Sequence, residues 1–145
     1  MAMATLFVVI CAVIIFSELK GRSDLSYAGK VFYSDDDGKT WFLDDLTKGS
    51  PFDHGGKQAY RALVYRCPGG ESFVASLAKY SDHQKAQMGT DGRLIGMAME
   101  DMKKPGESKW VTNSTPAERP KVACPGGGGD AVMVLPSDPD SGATR

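Results

Sequence analysis

Three places in the chain hold residues with chemical potential. Asp35, Asp36 and Asp37 set three carboxylates side by side between Ser34 and Gly38. His54 follows Asp53 in a Pro- and Gly-flanked loop, and Cys67 and Cys124 each open a Cys-Pro-Gly-Gly string. The acidic cluster invites a calcium reading, because an EF-hand loop ligates from positions 1, 3, 5 and 12 with glycine at 6. With Gly38 at position 6, Asp35, Asp37 and Asp44 occupy positions 3, 5 and 12, but position 1 is Tyr33, which cannot serve. The flanks read as strands rather than helices, so a solvated acidic turn is expected and no metal ligand is assigned. His54 has no second histidine or thiol near it in sequence, and His83 lies in another polar segment. A loop histidine held by turn hydrogen bonds is expected. Nucleophilic catalysis needs Ser or Cys beside a base with an orienting acid, and a thiol oxidoreductase needs Cys-x-x-Cys. Neither set is visible, and no carboxylate pair stands out for glycoside hydrolysis. The expectation is a non-enzymatic protein with no catalytic residue and no cofactor.

The acidic cluster has a second pattern. Asp37-Gly38 lies between the apolar runs Lys30–Tyr33 and Thr40–Leu43, a strong hairpin signal because glycine accepts φ > 0. Ser34, Asp36, Gly38, Thr40 and Trp41 also complete the string S-x-D-x-G-x-T-W. This resembles the Asp box, a hairpin turn of sialidases and related β-propellers. The resemblance implies a structural role away from any active site: Asp and Ser side chains bond turn amides, and the Trp packs over the hairpin. In those families the box recurs, whereas it occurs once here, and 145 residues are too few for a propeller's blades.

The elements that must position these residues follow from composition and pattern. A net charge of −1 gives no electrostatic case for nucleic acid. With 17 Gly and 8 Pro, turns and short strands are favoured over long helices. Ala2 to Phe16 is apolar without charge, Pro or Gly. About 16–18 helical residues span roughly 25 Å, the short end of a transmembrane helix. A cleaved signal would want a basic start and small residues at its end, and both are lacking. Lys20 and Arg22 after the run favour a cytoplasmic domain by the positive-inside rule, whereas a Cys67–Cys124 disulfide favours the outside. Two buried thiols are the alternative for that pair. Cys11 lies within the apolar run.

Strands are expected at 59–67 and 71–78 around the Cys67-Pro68-Gly69-Gly70 turn, and a loop at 51–57. A short helix is expected at 80–88, with Ser81 as a plausible cap. Leu94–Met102 fits strand or helix by period alone, but Lys104-Pro105-Gly106-Glu107 is a turn before a strand at Trp110–Thr112, so a second hairpin is preferred. Asn113-Ser114-Thr115 is a glycosylation sequon. Ala131–Leu135 is the last apolar run, a candidate edge strand or partner contact, and 136–145 is expected to be loose. The fold class is thus an N-terminal transmembrane α-helix, a small hairpin-rich α+β domain and an irregular Gly/Pro-rich tail. The boundaries are helix 1–19, linker 20–29, domain 30–115 and tail 116–145.

The strings FYSDDDGKTWF, PFDHGGKQAYRALVYRC, MKKPGESKW and the later Cys-Pro-Gly are similar to those of a group of uncharacterised bacterial proteins with one N-terminal membrane segment and a small exported domain. The resemblance covers roughly residues 30–125 and implies an anchored, exported domain without a known activity. The expected function is an accessory or structural subunit of a membrane assembly, single-pass and with its domain outside the cytoplasm. Its partners would be the lipid bilayer and other membrane-protein subunits. A pilin-like filament subunit and an envelope-anchored glycan- or protein-binding module are the alternatives.

Overall fold

The structure is a computed structural model that describes residues 29–80, 100–113, 121–138 and 141–143. Strands β1 (Lys30–Ser34), β2 (Phe42–Asp45), β3 (Phe52–His54), β4 (Lys57–Arg66), β5 (Ser72–Lys79), β6 (Glu100–Lys103), β7 (Val111–Asn113) and β8 (Val132–Met133) form one antiparallel sheet. Its order is β2-β1-β4-β5-β6-β7, with β3 and β8 also paired to β4.

β4 organises the sheet. Its ten residues run KQAYRALVYR, and directly paired residues share a face. Ala62 opposes Leu77 and Val64 opposes Val74, with a bulge between Leu63 and Val64 keeping both pairs aligned. Phe32 opposes Leu43 on the next pair of strands. Phe32, Ala62, Val64, Val74 and Leu77, with Trp41 and Val134, form the buried cluster, and Leu43, Tyr60, Trp110 and Ala143 pack against it. The opposite face carries an aromatic row. Tyr33 meets Phe52 edge-on at 4.9 Å, and Phe42 stacks on His54 at 4.2 Å. Tyr33 O–H donates to the Asp45 carbonyl at 3.1 Å, and burial pushes its phenol well above the ordinary value.

Ser50 joins β4 and β5 and is fully buried. Its hydroxyl donates to the Ala78 carbonyl at 2.6 Å and accepts from Arg61 N–H at 2.9 Å, while its carbonyl accepts from Tyr80 N–H at 2.8 Å. Both groups of this buried serine are therefore bonded, which removes the cost of burying them. The Ser50–Pro51 peptide is cis.

The expected architecture needs correction. Among the described residues no helix is long and apolar enough to cross a membrane, and the domain is an antiparallel sheet rather than α+β. The helical structure described is one 3-10 turn, Leu46–Lys48. The span expected at 1–19, linker residues 20–28 and, of the helix expected at 80–88, all but Tyr80 lie outside the described residues, as do Cys11 and His83. The loop expected at 51–57 contains β3, because Phe52 reaches Tyr33 while Asp53 and His54 pair along β4. Among the described residues the tail is irregular apart from β8 and the Ala123–Asp130 bridge, but it is packed onto the sheet rather than loose. β8 pairs with Tyr65 and Arg66, Val134 is buried, and Ser141 accepts a bond from Trp41.

Leu77 is fully buried at the centre of this cluster. Leu77→Ala should therefore cost about 2–5 kcal/mol in urea unfolding. Val111→Ala, at a residue 59% exposed, should change stability by no more than about 0.5 kcal/mol.

Candidate functional site

The five Asp-box residues converge as one turn. Asp36 accepts three bonds: from Ser34 Oγ at 2.9 Å, Thr40 N–H at 2.9 Å and Thr40 Oγ1 at 2.7 Å. Ser34 Oγ in turn accepts Gly38 N–H at 2.8 Å. Burial opposes ionisation of Asp36, but the bonds from Thr40 and Ser34 outweigh it, so its pKa falls below 3.8. Asp37 and Gly38 both hold positive φ, 61° and 84°. A Cβ on Gly38 would stand 2.8 Å from Pro105 Cγ and 3.2 Å from Val74 Cβ, so the site needs glycine for space as well as for φ.

Each neighbouring carboxylate serves a different partner. Asp37 accepts from Lys103 Nζ at 2.6 Å and Gly106 N–H at 2.7 Å, tying the box to the β6–β7 turn. Those two bonds, Lys103 first, lower its pKa. Asp35 lies 2.9 Å from His54 Nδ1, and Asp44 lies 2.6 Å from Lys48 Nζ. For Asp44 burial again opposes ionisation, and the bonds from Lys48 and Asp45 N–H, with the charges of Lys48 and Lys30, together outweigh it to lower the pKa. The carboxylates of the calcium reading thus point to separate cations and amides. Among the described residues no group of three His, Cys, Asp or Glu could hold a metal ion. His54 is bound to Asp35 and stacked on Phe42, not to its sequence neighbour Asp53. Asp53 instead accepts from Gly56 N–H in the β3–β4 turn.

Trp41 does more than cover its own hairpin. It is 8% exposed in the core, and its Nε1–H donates to the Ser141 carbonyl at 2.9 Å. A Cβ on Gly142 would stand 2.9 Å from the indole Cζ2, so the chain passes directly over the ring. Cys67 and Cys124 are joined as a disulfide, with Cα atoms 5.7 Å apart and a separation of 57 positions in sequence.

Sequence reasoning missed one cluster. Arg61, Tyr80 and Glu100 meet on the sheet face opposite the core. Arg61 Nη1 donates to Glu100 Oε1 at 2.6 Å and to Tyr80 Oη at 2.9 Å, and Tyr80 O–H donates to Glu100 Oε1 at 2.9 Å. Burial pushes the Tyr80 phenol well up, so it stays a donor. Burial also opposes the Arg61 charge, but Glu100, Tyr80 and Tyr33 together outweigh it and the pKa rises. Every member is partnered, and among the described residues no buried side-chain nitrogen or oxygen lacks a hydrogen bond. The geometry is that of a rivet between β4 and β6. The three positions share no local pattern, and the register that joins them was the only signal.

Two open clefts lie among the described residues. One, of about 430 Å³, lies between Trp41, Arg66, Glu71, Ser72 and Gly142. The other, of about 270 Å³, lies between Ser76, Met102, Lys104, Val111 and Thr112 at the β7 end of the sheet.

Asp36→Ala removes an acceptor of three bonds and should cost about 1–3 kcal/mol in denaturant unfolding at pH 7. The sign of its pH dependence follows from its lowered folded pKa. Its stabilisation is complete above the ordinary aspartate range and is lost as pH falls through the folded value. The variant should therefore show a shallower loss of stability than the parent below about pH 4, with Asp37 and Asp44 supplying the slope that remains. No family model matches the chain, and neither a curated protein nor a solved structure is similar to it.

Proposed function

We propose that this chain is a non-enzymatic accessory or structural subunit of a membrane-associated protein assembly, with its sheet domain in an oxidising, extracytoplasmic compartment. The Cys67–Cys124 disulfide supports that side, because such bonds persist where thiols are not kept reduced. Its partners in this reading are other membrane-protein subunits.

The observation that carries the interaction is the end of the sheet. β7 closes the strand order at one side, Val111 is 59% exposed, and the smaller cleft opens beside it. An extended segment can add to such an edge: main-chain bonds give affinity, and a cleft takes an alternate side chain. The other end is blunted by charge. β2 carries Asp44 and Asp45, paired to Lys48 and Lys30 at 2.6 and 2.9 Å, and paired charges along an edge discourage strand addition. A glycan-binding module would draw on the larger cleft. Trp41 there is almost covered and its N–H is taken, so little ring face is left for stacking on a sugar.

The test is extraction of the full chain from membranes in detergent, followed by sizing and mass spectrometry. Co-purification with a membrane-protein subunit is expected. Val111→Lys should weaken it on the order of tenfold, about 1.4 kcal/mol at the interface, while the fold's own stability moves by under about 0.5 kcal/mol. Migration as a lone monomer without a co-purifying protein would overturn the reading.

A further inference from the structure

The two Cys-Pro-Gly-Gly strings adopt the same turn. Gly70 N–H donates to the Cys67 carbonyl at 3.0 Å, and Gly127 N–H donates to the Cys124 carbonyl at 3.1 Å. The glycine after each proline has positive φ, 67° at Gly69 and 87° at Gly126. Proline followed by a glycine of positive φ is the arrangement of a type II turn. The disulfide thus joins two like turns at their first residues. Cys124 is 6% exposed, but Cys67 is half-buried and stands between the exposed stretches Pro68–Gly70 and Gly126–Gly129.

The chain beyond Cys124 forms a strap. It returns through bonds from Cys124 N–H to the Gly129 carbonyl and from Ala131 N–H to the Val122 carbonyl. It then lies along β4 for two residues only, Val132 and Met133. Val134 N–H donates to the Val64 carbonyl at 2.9 Å and its side chain enters the core. The strap ends on Trp41 through Ser141 and Gly142. A two-residue strand is far shorter than strands that hold by themselves, and Val132 and Leu135 are 68% and 53% exposed. The covalent fastening is at Cys67, where β4 ends.

We propose that the Cys67–Cys124 disulfide is a redox latch: its reduction by an external dithiol releases the strap and uncovers Trp41 together with the β4 edge at Val64–Arg66. A thiolate of the dithiol attacks the sulfur of Cys67, the less buried of the two cysteines, and Cys124 leaves as a thiolate. The second thiol of the reductant then attacks the mixed disulfide, closes its own disulfide and frees Cys67. Two electrons pass from the dithiol to the chain, which ends with two thiols. The strands β1 to β5 keep their own pairings throughout, so the change is local. The uncovered edge and indole form a strand-accepting groove that the strap fills in the oxidised protein. The inference rests on the strap and the disulfide, and is independent of the accessory-subunit reading.

The test uses the full chain carrying Cys11→Ser, so that Cys67 and Cys124 are its only thiols, and Trp110→Phe, so that Trp41 is the only emitter. Dithiothreitol is the probe, and thiol titration reports reduction. On reduction Trp41 emission should shift to the red and become more open to acrylamide. Hydrogen exchange on the unsubstituted chain should show loss of protection at 132–134 with protection kept at 61–64 and 76–78. Reoxidation should reverse both. A bond that resists dithiothreitol without denaturant overturns the proposal. So does unchanged Trp41 emission once both thiols titrate. Loss of protection through β4 and β5 as well overturns it too, because the bond would then staple the whole domain.

Discussion

Strand β4 is the constraint on which the rest of the sheet depends. It pairs with β1, β3, β5 and β8, so its backbone groups are satisfied by four segments drawn from residues 30 to 133. Each partner covers only part of its length: β3 takes 57–59, β1 takes 60–61, β8 takes 65–66, and β5 runs along 61–66. A long strand served by short partners must have its gaps closed by other groups. Ser50 closes one, accepting Arg61 N–H with its hydroxyl. Val134 N–H closes another at the Val64 carbonyl. An unmade buried backbone bond costs about 1–3 kcal/mol, so these single contacts carry more weight than their number suggests.

The local parts of this design were legible in the sequence. The Asp box could be read because its bonds join residues at most four apart: Ser34 to Gly38 and Asp36 to Thr40. The β4–β5 hairpin could be read because apolar runs flank Cys67-Pro68-Gly69-Gly70. The close spacing of Asp35, Asp36 and Asp37 was legible too, but its meaning was not. Side-chain direction alternates around the turn, and each carboxylate found a partner from a different part of the chain: His54, Thr40 and Lys103.

What escaped the sequence is set by tertiary register. Arg61, Tyr80 and Glu100 are brought together because β5 lies between β4 and β6, and nothing in their spacing records that. The tail read as irregular because its Gly and Pro content defeats any periodic signal. Its order comes from contacts supplied elsewhere: a disulfide at Cys67, a carbonyl at Val64 and an indole at Trp41. The run Leu94–Met102 was ambiguous for a related reason. Short apolar runs do not separate helix from strand by period, and the last residues of the ambiguous run, Glu100–Met102, pair with β5 and β7.

The motif that seemed most local therefore has the longest reach. Asp36 and Gly38 fix the turn, and the turn fixes where Trp41 enters the core. Trp41 then holds Ser141, one hundred residues away in sequence, by a single N–H···O bond. Gly38 and Gly142 mark the two ends of this chain of contacts, since a side chain at either would collide with Pro105 or with the indole. The closing of the tail onto the sheet is thus written partly at residue 36 and partly at residue 67. One end is a hydrogen-bonded turn that solvent chemistry leaves alone at neutral pH, and the other is a covalent bond that thiols can open. A domain built this way can change its C-terminal surface without disturbing the hairpins beneath it.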